Sequence, residues 1–426
     1  MPAQPLNAQG VRDEVMADIN KAGGLHYVYD YKADPPATKP PKGYKPFYVS
    51  HLSRHGARYQ FTQYDSLDAW FRWAGKEGVL TPYGKAFAQK YFPFYEKVRL
   101  RGGSLTSIGM DQHKTIAARM FRNYPEVFKG QTAAWAVATE SPRVILSMMC
   151  FLDTLKTLDR TFDASFDASL ALCPFLQPNH KSSPTYVRHP RVNAQTEKMN
   201  HRFFYSTVPV KGICDRFFTD TVKLSDRGVS MRRFLIYLHD VTDGMQCLDH
   251  DRDLFKGTFT PEEEYALFCC ENLDDAIFLA NYKGSGAVYY LMSAYTLKHI
   301  IETADSDMAS GEHQLRLRFC HDSQILPLLN IMNVNGMGRE ITSPEEASEI
   351  YPRFNVPMGA SLQFIFFRSR KTPEVLFKLL LNEREATLPL DAVDGPYYRW
   401  SDFKARFVPC IEASIKKLDS IREASR

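Results

Sequence analysis

An apolar, β-prone run that stops abruptly at Arg54-His55-Gly56-Ala57-Arg58 constrains this chain more than any other stretch. The run itself is Phe47-Tyr48-Val49-Ser50-His51-Leu52-Ser53. Strands of α/β proteins end in this way where their carboxyl ends carry chemistry. Gly56 lets the backbone turn sharply, with no Cβ in the way. Arg54 and Arg58 stay charged and offer forked donors suited to phosphate oxygens. His55 has an unperturbed pKa of about 6.5. Neighbouring cations favour its neutral form, the form able to attack phosphorus. Alone, an Arg-His pair after a strand is more often a solvated loop, so the other stretches decide the matter.

Two further apolar runs end in polar knots. Ala133-Ala134-Trp135-Ala136-Val137-Ala138 runs into Thr139-Glu140-Ser141-Pro142-Arg143. Pro142 begins a helix to about Leu155, with Val144, Ile145, Met148, Met149 and Leu152 on its apolar side. Arg143 then falls in the first helical turn, where amides and the helix dipole also favour anions. By itself Arg143 reads as a surface ion-pair partner. Leu315-Arg316-Leu317-Arg318-Phe319-Cys320 alternates like a strand and ends at His321-Asp322-Ser323. If the three strands are parallel neighbours, their ends meet in one crevice. It would hold three arginines, two histidines and one aspartate, a set suited to phosphoryl transfer. The expected fold is α/β: a doubly wound mixed sheet flanked by helices, with an inserted, mainly helical cap.

With these motifs in view, the chain resembles the histidine acid phosphatase branch of the histidine phosphatase superfamily, which includes phytases and multiple inositol polyphosphate phosphatases. The resemblance rests on Arg54-His55-Gly56-Ala57-Arg58, on Arg143, and on His321-Asp322, in that order along the chain. Leu105-Thr106-x-x-Gly109 matches a helix start common in the family. The resemblance implies that His55 is the nucleophile and Asp322 the proton donor to the leaving alcohol. Arg54, Arg58, Arg143 and His321 would bind the phosphate. It implies a small phosphorylated substrate, no metal and no cofactor, and a periplasmic or secreted location. Gln60 stands where the family loop often has proline, and His321-Asp322 follows the phytases rather than the His-Ala-Glu of the inositol polyphosphate enzymes. Two other readings stay open: a phosphotransferase or mutase using the same histidine, and a non-catalytic binder of a phosphorylated ligand.

The rest of the 426-residue chain is ordinary in composition, with 44% hydrophobic and 24% charged residues, which excludes wholesale disorder. A net charge of +4 is too mild to argue for nucleic acid, and no apolar run approaches the ~18 residues of a membrane span. Met1 to Gly10 lack the charged-then-apolar pattern of a secretion signal. Residues 1–158 and 285–426 read as the core and 159–284 as the cap, with part of 60–130 as a candidate member of the cap. Within the core, helices are expected at 64–75, 83–100, 108–123, 285–304 and 400–424, and strands near 361–367 and 375–381. The proline-rich stretch up to Pro46 reads as an arm over the surface. None of the eight cysteines forms a Cys-x-x-Cys pair, and Cys150 and Cys320 read as buried small hydrophobes. His51 reads as a packed structural residue, His239-Asp240 as a decoy on a cap helix, and Asp249-His250-Asp251-x-Asp253 as a solvated acidic turn.

Overall fold

The computed structural model describes residues 8–187, 194–285 and 288–424; the chain's first seven residues, which open the expected arm, lie outside them. The strands are β1 (Tyr44–Arg54), β2 (Ala133–Ala138), β3 (Asp163–Asp167), β4 (Leu315–Cys320), β5 (Ser361–Ser369), β6 (Leu376–Leu381), β7 (Arg384–Glu385) and β8 (Tyr398–Arg399). Before β3 come helices α1 (Ala8–Ala17), α2 (Gln63–Lys76), α3 (Pro82–Val98), α4 (Ser107–Asn123) and α5 (Pro142–Leu158). Between β3 and β4 lie α6 (Cys173–Leu176), α7 (Ala194–Thr207), α8 (Val210–Phe217), α9 (Thr221–Asp226), α10 (Met231–Gly244), α11 (Pro261–Leu279) and α12 (Val288–Ser310). Last come α13 (Asp322–Ile331), α14 (Pro344–Ile350) and α15 (Trp400–Ala424).

The sheet is mixed, in the order β3-β2-β4-β1-β5-β6-β7, with β8 on β6. β4 inserts between β2 and β1 and is parallel to both. Arg54 therefore lies opposite Cys320, and Ala138 opposite Phe319. The three polar knots leave the same edge of three adjacent strands. β5 runs antiparallel to β1, and β6 antiparallel to β5.

Successive side chains of a strand point to opposite faces, and the two faces carry different cores. Val49, Leu315, Leu317 and Phe319 pack with Ile116, Val144, Met148 and Phe151 from α4 and α5. Tyr48, Leu52, Phe364 and Phe366 pack with residues of α11, α12, α13 and α15. The Leu-Arg-Leu-Arg alternation of β4 is thus not an inside–outside pattern. Arg318 is fully buried, and donates to Ser50 Oγ at 3.0 Å, Thr303 Oγ1 at 2.6 Å and His299 Nδ1 at 3.1 Å. A third apolar cluster joins α2 and α3 to α8–α11, with Phe71, Phe87, Tyr91, Phe217 and Phe234 at its centre.

Local sequence explains many boundaries. Thr81 caps α3, accepting from Gly84 N at 3.0 Å, with Pro82 at the first helical position. Thr260 and Glu263 form a capping box at α11. β3 lies in the stretch read from sequence as the start of a helical cap, yet it pairs with β2 at the sheet edge. Its sequence, Asp-Ala-Ser-Phe-Asp, is polar, and Phe166 is 57% exposed. An edge strand of this kind has no hydrophobic alternation to betray it. All eight cysteines are free; Cys320 is buried as expected, but Cys150 is only half-buried, because it lies on the rim of α5 rather than its apolar face.

Candidate active site

The loop after β1 is held by backbone contacts that only small residues allow. A Cβ on Gly56 would stand 2.3 Å from the Gly109 carbonyl oxygen, and one on Gly109 would stand 2.3 Å from that of Ala57. The start of α4 is therefore pressed onto the loop. Thr106 caps α4 by accepting from Gly109 N at 3.2 Å, and its hydroxyl donates to the Ala57 carbonyl at 3.0 Å. Gln112 accepts from Ala57 N at 2.9 Å and donates to the Met358 carbonyl at 2.7 Å. This gives the Leu-Thr-x-x-Gly motif a physical role: it clamps the loop that carries His55. Gly109→Ala is expected to displace that loop, lowering turnover at least tenfold and stability by about 1–3 kcal/mol. Thermal melting and phosphate release would check this; a variant with wild-type turnover would show that the close approach is dispensable.

All six residues singled out in the sequence come together. Arg54 is 1% exposed and pairs with Asp322 at 2.7 Å, while its other amino group donates to the carbonyls of Leu25 at 2.6 Å and Val356 at 2.9 Å. His55 and His321 meet edge to face, with ring centroids 5.5 Å apart. Arg143 reaches His321 Nδ1 at 3.4 Å. Arg58 and Arg143 both lie over the ring of Phe61, at 4.2 and 5.3 Å from its centroid.

Hydrogen bonds fix which ring nitrogens carry protons. His55 Nδ1 lies 2.9 Å from the Gly56 carbonyl, an acceptor, so Nδ1 bears the proton and Nε2 keeps a lone pair. His321 is the reverse. Its Nδ1 accepts from Arg143, and its Nε2 donates to Thr139 Oγ1 at 3.1 Å. Burial, then Arg54, His321, Arg143 and Arg58, hold His55 well below its usual pKa. Burial and Arg143 bring His321 down to about 4. Both rings are neutral at physiological pH.

The charges are unbalanced toward an anion. Burial, helped by Arg54 and Arg143, lowers Arg58 to about 10. Burial pushes the Asp322 carboxyl up, but Arg54, His321 and Arg58 outweigh it and hold the group below the usual carboxylate range. Three guanidiniums thus face a single carboxylate among the six.

Other residues support the site without having drawn attention in the sequence. Ser147 accepts from Gly56 N at 3.1 Å and donates to the Arg143 carbonyl at 2.8 Å, tying the β1 loop to α5. A polar residue one turn after Arg143, on the buried face of α5, was the available signal. Thr139 and Gln112 are likewise buried polar residues with site partners. Phe61, 39% exposed in a polar loop beside two arginines, was another. His51 is fully buried between the rings of Phe151 and Phe319, away from the crevice. The acidic turn at 249–253 is exposed, with Asp249 accepting from Ser107 and Asp251 from Lys97.

An α/β sheet whose adjacent parallel strands deliver a buried neutral histidine among three arginines forms a site suited to an anion such as phosphate. Residues 48–206 match the family model described as Histidine phosphatase superfamily (branch 2). The fold is similar to that of the Bifidobacterium longum multiple inositol polyphosphate phosphatase in complex with phosphate, at 15% identity and TM-score 0.75, covering 91% of this chain and 97% of that one. It is also similar to the phytase from D. castellii, at 16% identity and TM-score 0.67, covering 94% and 87%. The Hafnia alvei phytase in complex with tartrate is similar at 14% identity and TM-score 0.56, covering 88% and 99%. No curated protein matches the sequence.

Proposed function

We propose that this chain is a phosphomonoester hydrolase working through a phosphohistidine, and that inositol phosphates are among its substrates. The observation that carries the reading is the His55 tautomer: Nδ1–H bonded to the Gly56 carbonyl, and Nε2 free to attack amid three guanidiniums. Arg54, Arg58, Arg143 and His321 hold the phosphate oxygens. His55 Nε2 forms a bond to phosphorus as the ester P–O bond breaks, and Asp322 gives its proton to the departing oxygen. Water then attacks the phosphohistidine, returns a proton to Asp322, and releases inorganic phosphate. The inositol reading rests on fold similarity to enzymes named for inositol polyphosphates and phytate. A mainly helical cap, built from helices that follow β3 and packed with α2 and α3, would add specificity, with Lys76, Lys85 and Lys90 as exposed cations on α2 and α3. No helix among the described residues is long and apolar enough to cross a membrane. A periplasmic or secreted location is part of the same proposal.

Release of inorganic phosphate from phytate, sugar phosphates, nucleotides and an aryl phosphate tests the proposal. Binding without release from any of them would support the binder instead. The pH dependence has a definite sign. His55 must be neutral, so activity falls as pH drops through its lowered pKa. Asp322 must be protonated, so activity falls as pH rises through its pKa in the complex, which the phosphate dianion raises. The expected optimum is acidic to near neutral, and a profile peaking above roughly pH 8 would exclude Asp322 as the donor.

A further inference from the structure

His239 and Asp243 sit four residues apart on one face of α10, and Glu264 faces them from the first turn of α11. His239 Nε2 stands 2.9 Å from Asp243 Oδ2 and 3.6 Å from Glu264 Oε2. The three ligand atoms lie within 4.8 Å of one another. Two donors each held ~2.1 Å from one ion stand roughly 3.0–3.4 Å apart in tetrahedral or octahedral geometry. The observed separations straddle that range.

A second observation is independent of the spacing. His239 Nε2, Asp243 Oδ2 and Glu264 Oε2 are all buried, and none has a hydrogen-bond partner. The His239 side chain is 1% exposed. The short contact between His239 and Asp243 is a close approach without the alignment of an N–H···O bond. A proton on Nε2 answers only one carboxylate, and holding the other without an ion requires a second proton: burial and Asp243 push the Glu264 carboxyl up to about 8. A dication answers all three atoms at once.

The other ring nitrogen has the partner that metal-bound imidazoles usually have. His239 Nδ1 lies 2.8 Å from Glu271 Oε1, and Glu271 is itself held by Arg353 at 2.6 Å. Such a carboxylate fixes the tautomer and orients the ring toward an ion. We propose that His239, Asp243 and Glu264 bind a divalent first-row metal ion, zinc or manganese, with water completing the coordination. One nitrogen and two carboxylates suit such ions better than calcium or magnesium, which favour all-oxygen sets. The ion ties α10 to α11. It also bears on the phosphate crevice indirectly, since Arg353 begins the turn whose Val356 carbonyl holds Arg54. Its role is structural, and the phosphoryl chemistry does not pass through it.

The test uses the full chain, stripped with a chelator and titrated with zinc and, separately, manganese. Ions per chain are counted by mass spectrometry, affinity by calorimetry, and melting temperature in parallel. The expected result is one ion per chain with Kd below about 1 μM, and a melting temperature raised by about 3 °C at a hundredfold excess over Kd. The near-isosteric Asp243→Asn and Glu264→Gln variants should each weaken binding by about tenfold or more, while His250→Ala should not. Should Asp243→Asn fail to fold, Glu264→Gln alone decides. Failure of both metals to bind, or equal binding by wild type and the carboxamide variants, would overturn the site. Phosphate release plays no part in this readout, so the outcome is separable from the catalytic reading.

Discussion

His55→Ala is expected to lower phosphate release by roughly four to six orders of magnitude, as loss of a covalent nucleophile does elsewhere. The substitution removes Nε2 and leaves the cationic cradle standing. Arg54 keeps its carbonyl partners at Leu25 and Val356 and its pairing with Asp322. Arg58 and Arg143 keep Phe61. The variant should therefore still bind inorganic phosphate, detectable by calorimetry, with a melting temperature close to wild type. That combination separates chemistry from binding. More than about 1% residual turnover would end the phosphohistidine reading, because three arginines alone cannot replace a nucleophile. Transfer to an added alcohol by wild type, in place of release to water, would favour the phosphotransferase.

Asp322→Asn should have the second largest effect, and one that depends on the leaving group. General-acid catalysis contributes roughly 10²–10⁴-fold. An alkyl ester, whose alkoxide is a poor leaving group, should lose that full amount. An aryl ester with an acidic phenol should lose much less. The amide oxygen of asparagine can still accept from Arg54, so the 2.7 Å contact beneath the site has a replacement and the fold should persist. The alkaline limb of the pH–rate profile should flatten, since the group whose deprotonation caused it is gone. Equal losses on alkyl and aryl substrates would point to phosphate positioning as the role of Asp322.

The site was legible in the sequence because its chemistry sits at strand ends, where apolar runs stop on charged residues. Three such ends were visible, and β4, lying between β1 and β2, brings them together. The order of the strands was not visible, since β-pairing between residues far apart in sequence leaves no local trace. The supports were hidden for a related reason. The carbonyls of Leu25 and Val356 hold Arg54, and a backbone carbonyl has no side-chain signature. Ser147, Gln112 and Thr139 are single polar residues in otherwise ordinary helices and turns. The His239 cluster escaped because its members are spread over two helices, and the adjacent Asp240 looked like the relevant neighbour. Asp240 instead accepts from Gln63 at 3.0 Å and lies 3.5 Å from His26. The helix start at Thr106 was readable, because capping is local.

The place of β4 also governs how the chain must be made. β1 and β2 are finished by residue 138, yet the strand that joins them ends at Cys320. At about 5–20 residues per second, a ribosome needs on the order of 10–40 seconds to supply it. Throughout that interval two apolar strands wait with open edges, exposed to mispairing with other nascent chains. Synthesis in the cell should therefore depend on chaperones that shield the amino-terminal third. Fragments truncated before residue 320 should be insoluble rather than merely inactive.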